Sequence, residues 1–385
     1  MAAAIDNAWL DSVRYGFART GLRPRNRGRY DRGMDSLTHL FVGGAIAAAI
    51  APASQRRAAL LAGAALNSLS DIDVLPLLLS DDPVIRMVWH RGATHSLLVL
   101  PFVAWALWAW FRRRGGRVAQ APRQWFWIFM ATLLAHPLLD AFTVYGTDLL
   151  WPLPVRPAMW SSVFIIDPVF SLCLVVPCVI AWFARERPLA GRALTAGLVL
   201  SLSYLALSQA AKWKVEHDAS RALASRGLGD APRFSVPMPF NILLWRVVAM
   251  TPQGFVEGER SLVADRAAME FREYRSDTRA LHAVRDYAAV RRLDWFNRGF
   301  MKAQERDGQL VLSDLRMGAE PDYSFRFAVA QRTGEGWREI PPRQLRWPWE
   351  ATRRLDAMWR RIWHAPSTSH SAPAPPVEAG RAAER

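Results

Sequence analysis

Histidine and aspartate side chains recur in four short segments of the first half of the chain. The segments are MDSLTH (34–39), SDID (70–73), HRGATHS (90–96) and HPLLD (136–140). Imidazole nitrogens and carboxylate oxygens are the ligands of catalytic zinc sites, which also keep a position open for water. If the fold brings the four segments together, they predict a metal centre.

The last of these segments has the spacing of a ligand pair on a helix. His136 and Asp140 are four residues apart, so they lie above one another on one helix face. Pro137 perturbs the local turn between them. A His–Asp hydrogen bond inside a helical bundle is the alternative interpretation of the pair.

The third segment predicts a change from loop to helix. His90 and His95 are five residues apart and cannot share one face of a helix, so we place His90 on a loop and His95 in the first helical turn. Thr94 or Ser96 is expected to cap that helix. His90 is predicted to act in catalysis, and the alternatives are that it binds the metal, supports a ligand or is simply an interfacial histidine. Arg91 is predicted to bind an anionic substrate group, with lipid headgroups as the alternative.

The second segment offers two carboxylates whose spacing suits a loop or a helix end. One of Asp71 and Asp73 is expected to be a ligand while the other orients a histidine. His39 is a weak signal alone and becomes a candidate ligand only as part of the cluster. Asp148 and Asp167 are weaker candidates, because capping or packing explains each of them equally well.

Six apolar segments must position these residues. Their ranges are 37–53, 58–70, 96–111, 125–144, 163–184 and 193–211. Most approach the roughly 20 residues that a helix needs to cross a bilayer. The first two are shorter and rich in alanine and glycine, which suits helices packed closely inside a bundle. The sequence therefore predicts about six membrane helices.

Arginine residues set the predicted orientation of these helices. They are concentrated in the loops after the first, third and fifth helices, which the positive-inside rule assigns to the cytoplasm. All the histidine and aspartate segments then fall at the outer membrane interface. Ionisable groups at this depth are costly and face a cavity or one another, so their shared level supports a common site.

Composition divides the remainder of the chain. The predicted units are a disordered or mis-annotated N-terminal extension (1–33), a membrane-embedded domain (34–211), a soluble α+β domain (212–360) and a disordered tail (361–385). Alternating apolar segments predict strands within 240–264 and 308–330. The charged stretch between them, 265–305, is predicted to be helical.

Charge and cysteine content narrow the class of protein. The net charge of +15 suits either an anionic membrane surface or nucleic acid. Nucleic-acid binding is not expected, because the chain contains no zinc-finger or RNP motif. Cys173 and Cys178 lie in an apolar run and are expected to be small buried side chains.

The ordered set of motifs resembles a known family. MDSLTH, SDID, HRGATHS, HPLLD and YGT (145–147) follow one another as in the YdjM-type family of membrane-bound metal-dependent hydrolases. PMPFNILLWRVV and DLRMG further along resemble the C-terminal extension of its longer members. The resemblance implies metal or catalytic roles for His39, Asp71 or Asp73, His90, His95, His136 and Asp140. Ser70 stands where the family often has proline, which changes the turn but removes no ligand.

Together these observations predict an α-helical integral membrane bundle of about six helices, followed by a small soluble α+β domain. We expect a metal-dependent hydrolase of the bacterial inner membrane, multi-pass, with the site and the C-terminal domain on the extracytoplasmic side. The cofactor is one or two divalent metals, zinc or alternatively manganese, and the substrate is a phosphoester or a lipid-linked molecule. The predicted metal ligands are His39, Asp71, His95, His136 and Asp140, and the predicted catalytic residues are Asp73, His90 and Arg91.

Two other classes of protein remain open. The chain would serve as a non-catalytic membrane anchor that presents the C-terminal domain to a protein partner, if the histidines and aspartates form only a structural network. Transport ranks last, because the polar cluster lies at one interface rather than at the bilayer midplane.

Overall fold

The computed structural model describes residues 36–346 and 351–366, a helical region followed by a region rich in β-sheet. The helices of the first region are α1 (Ser36–Ile50), α2 (Arg56–Asn67), α3 (Pro83–Trp89), α4 (Leu100–Arg113), α5 (Pro122–Ala141), α6 (Pro168–Ala184) and α7 (Pro188–Ala224). Shorter helical turns lie between them at Ala53–Gln55, Ser68–Asp73, Val74–Leu77, Ala93–His95 and Gly116–Gln120.

Each of the six predicted apolar segments contains helix, but fewer than six of the described helices meet the requirements of a membrane span. Among the described residues, two stretches are long and apolar enough to cross a bilayer. They are Ala53–Leu77, which joins α2 to the helical turns on either side of it, and Pro188–Ala224, which is α7. A third span results if Pro83–His95 and Leu100–Arg113, which are bent by 56°, count as one. The prediction of about six membrane helices is therefore not confirmed. Helices α1 and α6 have 15 and 17 residues, short of the roughly 20 that a bilayer requires.

Two glycines allow α1 and α2 to approach backbone to backbone. A Cβ atom at Gly43 would meet the carbonyl oxygen of Gly63 and the Cβ of Asn67, and a Cβ at Gly63 would meet the Gly43 carbonyl oxygen. Small residues at such crossings are typical of membrane helix pairs. The Asn67 side-chain amide donates to the His39 carbonyl oxygen at 2.6 Å. This packing holds the start of α1 above the end of α2.

Aspartates begin two of the helices, whereas α4 begins without a side-chain cap. Asp82 accepts from two backbone amides of α3, and Asp167 accepts from two of α6, as N-cap residues do. Ser96, one of the two expected caps, caps the turn that leads into α4 rather than α4 itself, which starts at Leu100. Its hydroxyl accepts the backbone N–H of Leu98 at 3.1 Å and donates to the Trp151 carbonyl oxygen, and its carbonyl oxygen accepts the backbone N–H of Leu100.

The second region consists of antiparallel sheets with three helices. The strands are β1 (Arg233–Pro237), β2 (Leu244–Thr251), β3 (Gly254–Ser261), β4 (Arg272–Arg275), β5 (Met301–Arg306), β6 (Gln309–Asp314), β7 (Gly318–Ala319), β8 (Asp322–Tyr323), β9 (Arg326–Thr333) and β10 (Gly336–Gln344). They form sheets of order β1-β2-β3-β4 and β10-β9-β6-β5 and a β7-β8 pair. The helices are α8 (Thr278–Ala283), α9 (Ala288–Asn297) and α10 (Ala351–Trp363).

Strands occur where they were predicted, but the stretch 265–305 is not helical throughout. It contains α8 and α9, and it also contains β4 and most of β5. Both strands lie at sheet edges and have charged sequences, REYR and MKAQER. Charged side chains are common on edge strands because they discourage further strand pairing, and here they obscure the apolar alternation of a strand.

The two regions share hydrophobic cores rather than meeting at a linker. Helix α7 continues through the boundary predicted at 211 and 212, because no proline or glycine lies between Gly197 and Gly227. Val215 on its far end packs with Trp245 of β2. Helix α10 runs to Trp363, past the boundary predicted at 360. The predicted extension 1–33 and most of the predicted tail lie outside the described residues.

Candidate metal centre

The structure brings the eight predicted site residues into one cluster at one end of the helical region. The elements that carry them are α1 for His39, the Ser68–Asp73 turn for Asp71 and Asp73, the end of α3 for His90 and Arg91, the Ala93–His95 turn for His95, and α5 for His136 and Asp140. Five separate segments therefore contribute, and contacts join their side chains across the cluster.

Two histidine nitrogens and two aspartate oxygens of the cluster form four close His–Asp pairs. Asp140 Oδ2 lies 3.2 Å from His95 Nε2 and 3.4 Å from His136 Nε2. Asp71 Oδ1 lies 3.6 Å from His95 Nε2 and 3.4 Å from His136 Nε2. A tetrahedral zinc ion with bonds of about 2.0–2.2 Å separates its ligand atoms by about 3.3–3.6 Å. The four His–Asp distances are therefore close to those between the ligands of such an ion, and Asp71, His95 and His136 lie close enough together to hold a metal.

Hydrogen bonding does not satisfy three of these four atoms, those of His95, His136 and Asp140. His95, His136 and Asp140 are at most 1% exposed. The Nε2 atoms of the two histidines and both carboxylate oxygens of Asp140 have no hydrogen-bond partner of acceptable geometry among the described residues. An unsatisfied buried polar group costs about 1–3 kcal/mol and calls for an explanation in a native protein. A cation bound by these lone pairs would provide one, so the donor set fits a divalent metal.

The other oxygen of Asp140 faces a different set of partners. Asp140 Oδ1 lies 3.2 Å from His39 Nε2 and 3.2 Å from Arg91 Nη2. Arg91 also donates from Nη1 to the Thr143 hydroxyl at 3.0 Å. The His39 ring stacks on that of His136 with centroids 3.9 Å apart. His39, His136 and Asp140 also lie close enough together to hold a metal, but the Arg91 guanidinium approaches the same Asp140 oxygen.

Asp73 contacts His90 instead of entering the four-atom set. Its Oδ1 lies 3.2 Å from His90 Nδ1, and its Oδ2 accepts the backbone N–H of Arg91 at 2.9 Å. The second contact holds Arg91 in a left-handed backbone conformation with φ of 67°. The most exposed side chains of the cluster are Asp71, at 31%, and His90, at 25%. They mark its opening.

Tyr145 and Arg316 border the cluster but did not stand out in the sequence. The Arg91 guanidinium lies 5.0 Å above the Tyr145 ring, whose hydroxyl donates to the Met87 carbonyl oxygen. Arg316 follows β6 and donates to the Tyr145 carbonyl oxygen at 2.8 Å. The YGT and DLRMG motifs contain these two residues and were the only signal for them. The sheet region therefore supports one wall of the site.

The weaker candidates have different positions. Asp167 caps α6 and accepts the Tyr204 hydroxyl at 2.6 Å. Asp148 lies in the loop after α5, where burial raises the pKa of its carboxyl to about 7 although His95 opposes the shift. Its backbone N–H donates to the Arg91 carbonyl oxygen. Neither aspartate belongs to the groups of described residues that could hold a metal.

Fold and site together define a membrane-associated helical protein with a His/Asp cluster that could bind a metal ion. Residues 34–215 match the family model described as YdjM inner membrane protein. The match covers the helical region as far as residue 215 and includes every residue of the cluster. Searches of curated proteins and of solved structures found no match.

Proposed function

We propose that the chain is an integral-membrane metal-dependent hydrolase in which Asp71, His95, His136 and Asp140 hold one divalent cation. Zinc suits two imidazoles and two carboxylates, and manganese is the alternative. The observation that carries the proposal is the spacing of the four His–Asp pairs, in which the ligand atoms of His95, His136 and Asp140 are buried without a well-aligned hydrogen bond among the described residues. The YdjM family description supports the membrane location and does not specify an activity.

The charge around Asp140 favours one cation over two. A second ion on the Oδ1 side would stand beside the Arg91 guanidinium, which already lies 3.2 Å from that oxygen. Like charges at such a distance repel strongly in a buried site. In this proposal His39 contacts Asp140 and orients it, as residues behind metal ligands commonly do. It is then not itself a ligand, which is the role that the sequence predicted for it.

The residues at the opening are suited to proton transfer. A cation in the four-atom set supplies Lewis acidity and makes water a usable nucleophile near neutral pH. Asp73 engages Nδ1 of His90, which fixes the ring and leaves Nε2 to take up or deliver a proton. Arg91 holds Asp140 through Nη2. Its predicted contact with an anionic substrate group is retained as part of the proposal.

The surface around the opening supports a lipid-linked substrate. Ile72, Leu75 and Trp89 are neighbours in sequence of Asp71, Asp73 and His90, and all three apolar side chains are exposed. A phosphoester at headgroup level would place its polar bond at the cluster and its apolar part on these residues. The outer side of the membrane follows from the distribution of arginines between the loops.

Activity assays on the detergent-purified chain test this proposal. We expect hydrolysis of bis(p-nitrophenyl) phosphate or of phospholipid in mixed micelles that EDTA abolishes and added zinc or manganese restores. Asp140→Asn should be inactive, and His282→Ala should behave like wild type, because His282 is a histidine of the sheet region that bonds to Arg285. A metal-loaded wild type that cleaves no phosphoester, or activity that survives Asp140→Asn, would refute the proposed reaction.

A non-catalytic anchor remains the second candidate because the same side chains also make contacts with one another. The stacked His39 and His136 rings and the His–Asp pairs would form a structural network without any metal. Under this alternative, substitutions in the cluster destabilise the protein, chelators have no effect, and the chain presents its sheet region to a protein partner.

A further inference from the structure

The last helix, α10, attaches to the sheet region by one face. The Arg361 guanidinium donates to both carboxylate oxygens of Asp265, at 2.8 and 2.6 Å. The Ser261 hydroxyl donates to the Ile362 carbonyl oxygen at 2.6 Å, and the Ile362 side chain is buried. These contacts fix the end of the helix at the point where β3 ends.

The opposite face of α10 combines exposed indole rings with arginine. Trp359 is 59% and Trp363 is 47% exposed, and their rings lie 5.8 Å apart. Arg360, next to Trp359, is also exposed and forms its ion pair with Asp356 on the same helix. The helix sequence ATRRLDAMWRRIW has four arginines and one aspartate. Two large aromatic side chains on a basic helix surface are unusual in contact with bulk water alone.

The fold places this helix end on the side of the sheet that faces the membrane helices. Ser261 pairs with Leu244 at the end of the β2–β3 ladder, beside the turn that contains Phe240. The Phe240 ring contacts that of Phe164 at 5.6 Å, and Phe164 precedes Asp167, the cap of α6, by three residues. The edge of the sheet that holds α10 is therefore also the edge that contacts the segment leading into α6, a helix of the apolar region.

We propose that α10 lies on the bilayer surface and binds anionic phospholipid. Tryptophan side chains favour the headgroup level, where the ring is apolar and the N–H can reach water or phosphate. Arginine beside them attracts lipid phosphates, and the basic sequence of the helix complements an anionic surface. Trp359 and Trp363 enter the headgroup layer, and Arg360 contacts phosphate. This surface would hold the sheet region against the membrane, and it does not depend on the metal centre.

Hydrogen–deuterium exchange of the full chain in nanodiscs tests this surface. We expect the backbone amides of residues 355–363 to exchange about fivefold more slowly in discs with phosphatidylglycerol than in discs of phosphatidylcholine alone, the effect of one arginine near an anionic surface. The difference should be lost in Arg360→Gln and kept in Arg221→Gln. Arg221 is a matched control, because it is equally exposed, is paired with Asp218 on its own helix, and lies near the far end of α7.

A second variant separates lipid contact from simple unfolding. Trp359→Ala combined with Trp363→Ala should speed exchange in residues 355–363 in both lipids and leave the amides of β2 and β3 unchanged. Equal exchange of wild type in both lipids would overturn the proposal. So would protection that rises with protein concentration, because that result would assign the face to a second copy of the chain.

Discussion

The helical region and the sheet region both bury charged groups, but they satisfy them differently. In the sheet region, Arg316 and Asp314 are each at most 2% exposed. Arg316 donates from Nε and Nη2 to Asp314 and from Nη1 to the Tyr145 and Phe296 carbonyl oxygens. In the helical region, the Nε2 atoms of His95 and His136 and both oxygens of Asp140 are as deeply buried and have no hydrogen bond among the described residues.

Depth of burial alone therefore does not explain the unsatisfied atoms of the cluster. The same chain supplies a complete set of partners to a buried pair when the pair serves structure, as Arg316 and Asp314 show. Asp140 Oδ1 lies 3.2 Å from Arg91 Nη2 and from His39 Nε2, but these contacts are not well-aligned hydrogen bonds. The difference between the two regions supports the proposal that the cluster binds a cation.

The largest expected effect comes from breaking the satisfied pair. Arg316→Ala leaves Asp314 buried without its partner, and we expect a loss of about 3–5 kcal/mol in the free energy of unfolding. Thermal unfolding in detergent measures the loss. Arg332→Ala is the control, because Arg332 is an exposed arginine 4.0 Å from Glu305, and its removal should cost no more than about 0.5 kcal/mol. Similar losses in both variants would contradict the structural role of Arg316.

Removing the metal should cause the next largest loss of stability, and the loss should occur only when the metal ligands of the cluster are intact. A ligand at a hundred times its dissociation constant stabilises the native state by about 2.7 kcal/mol. We therefore expect EDTA to lower the melting temperature of wild type and to leave that of Asp140→Asn unchanged. His90→Gln, which removes no proposed ligand, should keep the EDTA effect. An EDTA effect that persists in Asp140→Asn would contradict the proposed ligand set.

Closing the gap between α1 and α2 tests whether packing positions the cluster. Gly43→Ala places a Cβ against the Gly63 carbonyl oxygen and Asn67, and overpacking of this kind costs about 1–3 kcal/mol. We expect a lower melting temperature together with weaker metal binding, because α1 carries His39 and α2 leads into Asp71. Gly334→Ala is the control, since no atom lies near its added Cβ. If Gly43→Ala were destabilised but bound metal with unchanged affinity, the packing of α1 on α2 would not be what positions the cluster.

The smallest expected effect is a pH dependence that comes from Asp148. Burial raises the pKa of its carboxyl to about 7 in the folded protein, above the unfolded value of about 3.9. The folded state therefore binds the proton more tightly, and stability falls as the pH rises from about 4 to about 7. In EDTA-treated protein, Asp148→Asn should reduce the stability difference between pH 5 and pH 8 by on the order of 1 kcal/mol. Parallel pH profiles of melting temperature for the two proteins would contradict this.

Much of the cluster was predictable because polar residues are conspicuous in apolar segments. The helical period brought His136 and Asp140 to one face, and the charge distribution predicted that the other segments lie at the same level. The sequence did not distinguish a ligand from its supporting residue. Asp71 and Asp73 differ only in which histidines they contact, and the position of His39 depends on how closely two glycines let α1 approach α2.

The contribution of the sheet region to the site could not be predicted. Arg316 reaches the Tyr145 carbonyl oxygen across 171 residues of sequence, and no local pattern encodes such a contact. The edge strands β4 and β5 were not predicted either, because the charged residues of a solvent-exposed edge strand hide the apolar alternation that identifies a strand. Helix α7 runs through the predicted boundary at 211 because a change in composition does not end a helix.

Metal content tests the central claim most directly. Inductively coupled plasma mass spectrometry on detergent-purified wild type should find about one zinc or manganese ion per chain. His95→Ala and His136→Ala should lose the ion while remaining folded, and His282→Ala should retain it. A folded wild type that binds no divalent metal, even after metal is added back, would contradict the account and favour the structural network.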